Sequence, residues 1–235
     1  HTDYYQLGYA FYKQNEYLKA INEFNKILEG SNTIAQNAYY HLAESYINLN
    51  KKQEALNAFR NASEMDFNLN IQQDAWLNYA KLSYDIGNPY QSTPQVLTDF
   101  LKLYPKSAFK IEIESLLIDS YISSNNFKEA LELLENKPRP AHKEAYQKVT
   151  FFRALELYNN AKYSDAKELL NRSLSTAINP VFSARATYWK AETDYQLSNF
   201  KEALEGFLDF KNTAKNAQLE EFKNLEYNLA YTYFK

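Results

Sequence analysis

One spaced phrase recurs along the chain and constrains the fold more than any other feature. An aromatic residue is followed three positions later by alanine, and a large apolar residue comes four positions after the alanine. The clear copies are Tyr17/Ala20/Phe24, Phe127/Ala130/Leu134, Tyr163/Ala166/Leu170 and Phe200/Ala203/Phe207. The weaker copies are Lys52/Ala55/Phe59 and Tyr90/Thr93/Leu97. Consecutive copies lie about 35 to 38 residues apart, a period that indicates a repeat architecture.

Each repeat reads as two antiparallel helices. Apolar residues recur at helical spacing on both sides of a polar break at 13–16, as in Tyr4 and Phe11 before it and Ala20 and Phe24 after it. A second small residue precedes the alanine by twelve positions in most copies, so the two helix backbones can approach closely. These small residues are Gly8, Ala43, Ala154 and Ala191. Only 4 Gly and 6 Pro interrupt the chain, which favours long helices.

These residues resemble the tetratricopeptide repeat family. Its pattern of aromatic, Leu-Gly, Tyr, Ala, aromatic and Pro appears in the first repeat, with Asn32 in place of the proline. Those first-repeat residues are Tyr4, Leu7, Gly8, Phe11, Ala20 and Phe24. The second repeat carries Tyr39, Leu42, Ala43, Tyr46, Ala55 and Phe59. The resemblance spans essentially the whole chain and includes phrases similar to Gram-negative cell-envelope members of the family.

The resemblance implies an all-α fold, a right-handed superhelical solenoid of antiparallel helix pairs with about six pairs and one further helix. The expected repeats are 1–35, 36–72, 73–110, 111–146, 147–183 and 184–222, with a first helix alone at 223–235. Two prolines near 136–142 predict either an ordinary loop or a flex point between repeats. The apolar final segment predicts that the natural protein continues beyond Lys235, and that this end can associate with a second copy.

The residues give no pattern for catalysis, so we expect a protein that is not an enzyme and needs no cofactor or metal. There is no Cys, and His1, His41 and His142 do not share metal-ligand spacing. The glycines are too scattered for a phosphate-binding loop. A net charge of −3 without a basic run argues against nucleic acid, and no apolar stretch is long enough to insert into a membrane.

A groove lined by first helices is the binding surface that the resemblance implies, with a peptide or protein as partner. Tyrosine suits such a surface because it offers a broad ring and a hydroxyl. The candidate groove residues are Tyr5, Tyr9, Tyr12, Tyr40, Glu44, Lys81, Tyr84 and Tyr231. Further tyrosines that can continue the line are Tyr158, Tyr188, Tyr195 and Tyr227. Packing between helices is the competing explanation, and Tyr9 and Tyr231 are the least typical of packing positions.

The predicted function is therefore a non-catalytic protein-interaction scaffold. Some co-chaperone members of the family clamp a carboxylate with Lys and Asn residues. At the matching positions this chain mostly lacks them and has, for example, His41 and Asp74. Binding of a chaperone tail is therefore disfavoured. Two alternatives remain open: an accessory segment of a larger enzyme or sensor, and a groove that binds glycan or peptidoglycan. The compartment is undetermined, with the periplasm or cell envelope of a Gram-negative bacterium slightly favoured over the cytoplasm.

Overall fold

The computed structural model describes residues 2–214 and 218–235, which contain thirteen α-helices and no strand. The first seven helices are α1 (Thr2–Lys13), α2 (Tyr17–Phe24), α3 (Thr33–Asn48), α4 (Lys52–Ser63), α5 (Leu69–Ile86), α6 (Thr93–Leu103) and α7 (Lys110–Ser123). The other six are α8 (Phe127–Asn136), α9 (Lys143–Asn159), α10 (Tyr163–Thr176), α11 (Pro180–Gln196), α12 (Phe200–Thr213) and α13 (Phe222–Phe234). Short 3-10 helices lie at Asn25–Ile27 and Pro140–His142.

The chain forms two compact units, His1–Ser120 and Tyr121–Lys235, and the division falls within α7. In the first unit, each helix from α1 to α5 packs on the next one along the chain. In the second unit, the helices from α8 to α13 pack on one another in the same consecutive way. First helices also touch the next first helix, as α1 touches α3 and α9 touches α11. This packing confirms the predicted all-α helical-repeat fold.

The recurring phrase forms the contact within a helix pair. Ala20 and Phe24 are fully buried, and a Cβ added at Gly8 of α1 would lie 2.8 Å from Cε1 of Phe24. A larger side chain at position 8 would therefore displace the phenylalanine ring from the crossing. The same positions are buried in the other clear copies, for example Ala203 and Phe207.

Five of the turns within helix pairs use the same backbone conformation. A residue with φ between 57° and 63° lies two positions before the second helix at Asn15, Asn50, Asn125, Ala161 and Ser198. The next backbone N–H then donates back to a carbonyl five residues earlier, as Glu16 does to Phe11 at 2.9 Å. This capping satisfies carbonyls at the end of the first helix. Asparagine tolerates the left-handed region better than most residues, which explains three of the five choices.

The third pair departs from the predicted register. The spacing of the recurring phrase corresponds to the first, fourth and eighth residues of a second helix. Helix α6 begins at Thr93, so these residues are Thr93, Val96 and Phe100. Val96 and Phe100 are fully buried. By this helix start, Val96 and Phe100 rather than Thr93 and Leu97 match the alanine and apolar positions, although Leu97 is also fully buried. The cause is the longer linker that begins at Gly87, whose φ is 77°.

Tyr4 and Leu7, which belong to the repeat pattern, each expose 46% of their surface. The described contacts of α1 are with α2, α3 and the 3-10 helix Asn25–Ile27, and these do not enclose the two side chains. The exposed face of the Tyr4 ring is contacted by Lys26, whose Nζ lies 4.9 Å from the ring centroid.

Helix α8 ends at Asn136, two residues before Pro138, as the lack of a proline N–H predicts. The loop that follows borders a cavity of about 620 Å³ within the second unit, lined in part by Pro138, Pro140 and Tyr146. The flex point near 136–142 and the repeat boundaries stay predictions.

Candidate functional site

Three tyrosines of α1 form a row beside His41 of α3. The Tyr5 and Tyr9 ring centroids are 6.1 Å apart, as are those of Tyr9 and Tyr12. His41 lies against all three, with ring-centroid distances of 6.2, 5.0 and 5.2 Å to Tyr5, Tyr9 and Tyr12. Tyr9 is 36% exposed, and the other two are partly buried. We call these four residues the first tyrosine face.

Glu44, which lies one helical turn after His41 on α3, contacts this face. Its Oε2 lies 2.9 Å from Nδ1 of His41, and its carboxylate charge also acts on the nearby Tyr12 hydroxyl. Burial and the nearby Glu44 carboxylate raise the pKa of Tyr12 to about 12. The Tyr12 phenol therefore stays protonated at neutral pH. The predicted contacts Tyr5, Tyr9, Tyr12 and Glu44 thus lie together in the structure.

Tyr40 is placed differently from the first tyrosine face because its ring is buried. The ring packs edge-on against Phe59 at 5.7 Å and against His41 at 5.4 Å. Its hydroxyl donates to Asp74 of α5, and burial followed by this hydrogen bond raises the pKa of Tyr40 well above its ordinary value. The position of the Tyr40 ring is explained by packing between repeats, the alternative to a binding role for the candidate tyrosines.

Lys81 and Tyr84 lie on α5 of the same unit. Lys81 Nζ is 2.8 Å from Glu112 Oε1 and 4.8 Å from the centroid of the Phe109 ring. Its charge is therefore already paired on the protein. Tyr84 is 40% exposed, so its ring is accessible to solvent.

A second arrangement of tyrosines surrounds Glu192 of α11 in the other unit. The Tyr188 hydroxyl donates to Glu192 Oε1 at 3.0 Å, the Tyr158 hydroxyl donates to Oε2 at 3.5 Å, and Asn228 of α13 donates to Oε1. Burial raises the pKa of Glu192, although these three hydrogen bonds act in the opposite direction. Burial and the charge of Glu192 also raise the pKa of Tyr158 to about 12.

A cavity of about 270 Å³ adjoins Glu192, and we call it the Glu192 cavity. Its lining residues are Glu192, Tyr195, Gln196, Phe207, Tyr227, Asn228 and Tyr231. Tyr227 and Tyr231 have ring centroids 4.5 Å apart and are 63% and 48% exposed. The predicted contact Tyr231 therefore lies at an open edge of this cavity. Tyr195, Tyr227 and Tyr231 together form the second tyrosine face.

The sequence prediction missed Glu192 and Asn228. A pattern for Glu192 was available, because Tyr188 and Glu192 repeat the four-residue spacing of Tyr40 and Glu44. In both cases the carboxylate also raises the pKa of a tyrosine on the preceding first helix, Tyr12 or Tyr158. Nothing in the sequence places Asn228, which reaches Glu192 only through the packing of α13 beside α11.

The described part of the chain, 2–214 and 218–235, contains no group of three His, Cys, Asp or Glu side chains that could hold a metal ion. The helices in the same part of the chain are too short or too polar to cross a membrane. The chemical features of the site are thus exposed rings, phenol hydroxyls and carboxylates.

Comparison with known proteins places this architecture among helical-repeat proteins. A family model described as anaphase-promoting complex, cyclosome, subunit 3 matches residues 1–62. The C-terminal part of a TPR repeat-containing protein from Cytophaga hutchinsonii is 18% identical with a TM-score of 0.52, over 98% of this chain and 88% of that one. No curated protein sequence matches the chain significantly.

A second similar structure is that of Naa15/Naa10 bound to HypK-THB. It is 13% identical with a TM-score of 0.58, and the match covers 99% of this chain and 39% of that one. At these identities the similarity concerns the fold alone.

Proposed function

Because this chain has the fold of tetratricopeptide repeat proteins, we propose that it is a non-catalytic protein-interaction scaffold. Each tyrosine face, within its own unit, is a surface that binds a peptide or protein partner. The observation that carries this proposal is the exposure of Tyr9, Tyr227 and Tyr231, which lie on first helices and have ring surface left over after packing.

The rings suit recognition because they are held in place before a partner arrives. Tyr9 is fixed between Tyr5, Tyr12 and His41. Tyr227 and Tyr231 pack against each other, with their ring planes tilted by 41°. A tyrosine side chain has only two rotatable angles to fix, so binding to a pre-arranged ring costs little entropy. Aromatic side chains that become buried when a partner binds commonly supply most of the binding energy of an interface.

The experiment is selection of a random dodecapeptide display library on the wild-type protein, followed by binding of the selected peptides to ring variants. The variants are Tyr9→Ser and Tyr231→Ser, with Tyr90→Ser as control. Tyr90 is 50% exposed but lies in the linker before α6. Selected peptides should lose binding to a face variant and keep it with the control. Equal binding to all three variants would refute the proposal.

A glycan groove is favoured by one observation, the presence of the amide residues Asn228 and Gln196 beside the exposed Tyr227 and Tyr231 rings. Aromatic rings with polar neighbours can stack on sugars. Titration with soluble peptidoglycan fragments tests this candidate. Saturable binding that Tyr231→Ser abolishes would support it, and absence of binding at millimolar concentration would exclude it.

A further inference from the structure

We propose that the Glu192 cavity receives a cationic side chain, lysine or arginine, from the protein partner. This inference rests on the proposed scaffold function and adds the chemistry of the group that the second tyrosine face selects. Four features of the cavity carry it: the size, the charge, the unused hydrogen-bonding capacity and the aromatic wall.

The size favours a single side chain. The volume is about 270 Å³, which is below the range of roughly 300 to 1,000 Å³ of pockets that hold drug-sized ligands. The exposure of Tyr227 and Tyr231 leaves the cavity open at one edge, so a side chain can enter while the partner backbone stays outside.

The charge inside the cavity is negative. Glu192 is the one acidic or basic residue among the described lining residues. Arg185 and Lys190, which share helix α11 with Glu192, and Lys223 of α13 are already paired with other carboxylates. Arg185 bonds Glu221 at 2.7 Å, and Lys190 bonds Asp194 at 3.0 Å. In the described part of the chain Glu192 forms no ion pair, so a partner cation would meet an uncompensated carboxylate.

The carboxylate also keeps room for one more donor. Two carboxylate oxygens offer about four acceptor positions, and three of these are used by the Tyr188 and Tyr158 hydroxyls and the Asn228 amide. All three donors are neutral. An ammonium or guanidinium group would add a charge-assisted hydrogen bond, which is about twice as strong as a neutral one.

Aromatic rings form the wall beside this carboxylate. Tyr195, Tyr227 and Tyr231 line the cavity, and the faces of tyrosine rings attract cations within about 6 Å of the centroid. The protein uses the same interaction elsewhere, since Arg60 lies 4.4 Å from the centroid of Tyr90 and Lys13 lies 5.6 Å from that of Tyr9. An anionic side chain would be repelled by both the rings and Glu192.

The first unit shows why the inference is specific to Glu192. Glu44 occupies the matching position after Tyr40, but it already bonds a histidine nitrogen, Nδ1 of His41. The described structure has no corresponding imidazole beside Glu192. Glu44 is therefore the internal control for this site.

The direct test is a titration of the wild-type protein, followed by the Asn228 and Gln196 side-chain amide signals in ¹H–¹⁵N NMR. The probes are Nα-acetyl-lysine methylamide, the norleucine compound, which has a similar stem without the charge, and the glutamate compound. The lysine compound should bind at least about fivefold more tightly than norleucine, and glutamate should not bind. Equal affinity for lysine and norleucine would overturn the inference.

The variant test uses Glu192→Gln, with Glu44→Gln as the matched control. Glu192→Gln should reduce affinity for the lysine compound about tenfold, and Glu44→Gln should leave it unchanged. An unchanged affinity in Glu192→Gln would also overturn the inference. If Glu192→Gln fails to fold by circular dichroism, the three-probe comparison on the wild-type protein decides the question alone.

The two proposals fail in different ways. If selected peptides need the rings but are indifferent to replacement of their Lys and Arg by norleucine, the cation inference is wrong and the scaffold function stands. If no selected peptide depends on the rings while the lysine compound still binds, the scaffold proposal fails and the cation preference of the cavity stands.

Discussion

The backbone N–H of Asn68 donates a 2.7 Å hydrogen bond to Oε1 of Gln36, a fully buried side chain of α3. The amide of Gln36 also donates to the carbonyls of Met65 at 2.6 Å and Ala62 at 3.2 Å. One glutamine thus ties down the segment that connects α4 to α5. Gln147 does the same in the second unit, where its Oε1 accepts from the Asn179 N–H at 2.7 Å.

Replacement of Gln36 should therefore weaken the fold strongly. In Gln36→Met the side chain keeps its length, but the Asn68 N–H and the Met65 carbonyl lose their partner in a buried place. We expect the free energy of unfolding to fall by about 2–3 kcal/mol in urea denaturation. Gln53→Met on the exposed side of α4 is the control and should change it by less than about 0.5 kcal/mol. Equal effects in the two variants would contradict this role.

Ala161 occupies a backbone conformation that suits asparagine better. Its φ is 57°, and three of the four equivalent turns carry Asn at this position. Ala161→Asn should raise the free energy of unfolding by about 0.5–1 kcal/mol, because Asn tolerates the left-handed region at lower cost. The reverse change, Asn50→Ala, should lower it by a similar amount. A loss of stability in Ala161→Asn would show that the turn is not strained.

Asp194 links α10 and α11 through two lysines. Its side chain is fully buried, with Lys167 Nζ at 2.5 Å and Lys190 Nζ at 3.0 Å. Burial alone would raise the pKa of Asp194, but hydrogen bonds and charge from the two lysines hold it below its ordinary value. The stabilising effect of the carboxylate is present above the pKa of the unfolded chain and is lost as the pH falls through the lowered folded value.

Asp194→Asn should consequently cost about 2–3 kcal/mol in the free energy of unfolding at pH 7, somewhat less than a fully buried pair because the lysines remain partly solvated. The difference from wild type should stay constant down to about pH 5 and shrink below about pH 4. Urea denaturation at pH 7 and pH 3 measures both quantities. A difference that persists undiminished at pH 3 would contradict the assignment.

Tyr12 provides a readout of the Glu44 network. Its pKa of about 12 arises from burial first and from the Glu44 carboxylate second. In Glu44→Gln the pKa of Tyr12 should fall but stay above 10.0, its ordinary value, because the burial remains. NMR titration of ¹³Cζ-labelled tyrosine measures this change. The pKa of Tyr158, also about 12, depends on Glu192 and should not move; a parallel change in Tyr158 would indicate a general loss of structure.

The repeat architecture was predictable from the sequence because it depends on local spacing. Ala20 and Phe24 are four residues apart on one helix, and their burial follows from that spacing alone. The register of α6 was not predictable, since a loop can lengthen without changing the apolar pattern around Thr93. Glu192 was missed because a glutamate on a helix is usually exposed to solvent. Its burial depends on tertiary contacts such as the hydrogen bond from Asn228 of α13.

The exposure of each candidate contact was not predictable from the sequence. Tyr9 and Tyr40 both satisfy the first-helix pattern, yet one ring is 36% exposed and the other is 9% exposed. The difference arises because the Tyr40 ring packs on Phe59 and its hydroxyl bonds Asp74. Such contacts join residues far apart in the sequence, so spacing within one helix cannot distinguish these two tyrosines.

Self-association of the C-terminal end stays a prediction. Tyr233 and Phe234 of α13 are 65% and 86% exposed, which leaves apolar surface uncovered at that end. Light scattering should show a concentration-dependent mass that Phe234→Ser reduces. A constant monomer mass at high concentration would argue against the association.

The affinity of a selected peptide for the ring variants tests the central claim most directly. In fluorescence polarisation, Tyr9→Ser or Tyr231→Ser should weaken binding about tenfold, which corresponds to about 1.4 kcal/mol for the loss of one aromatic anchor. The control Tyr90→Ser should bind like wild type. If both face variants bind as tightly as Tyr90→Ser, the tyrosine faces are not the binding surface and the account is wrong.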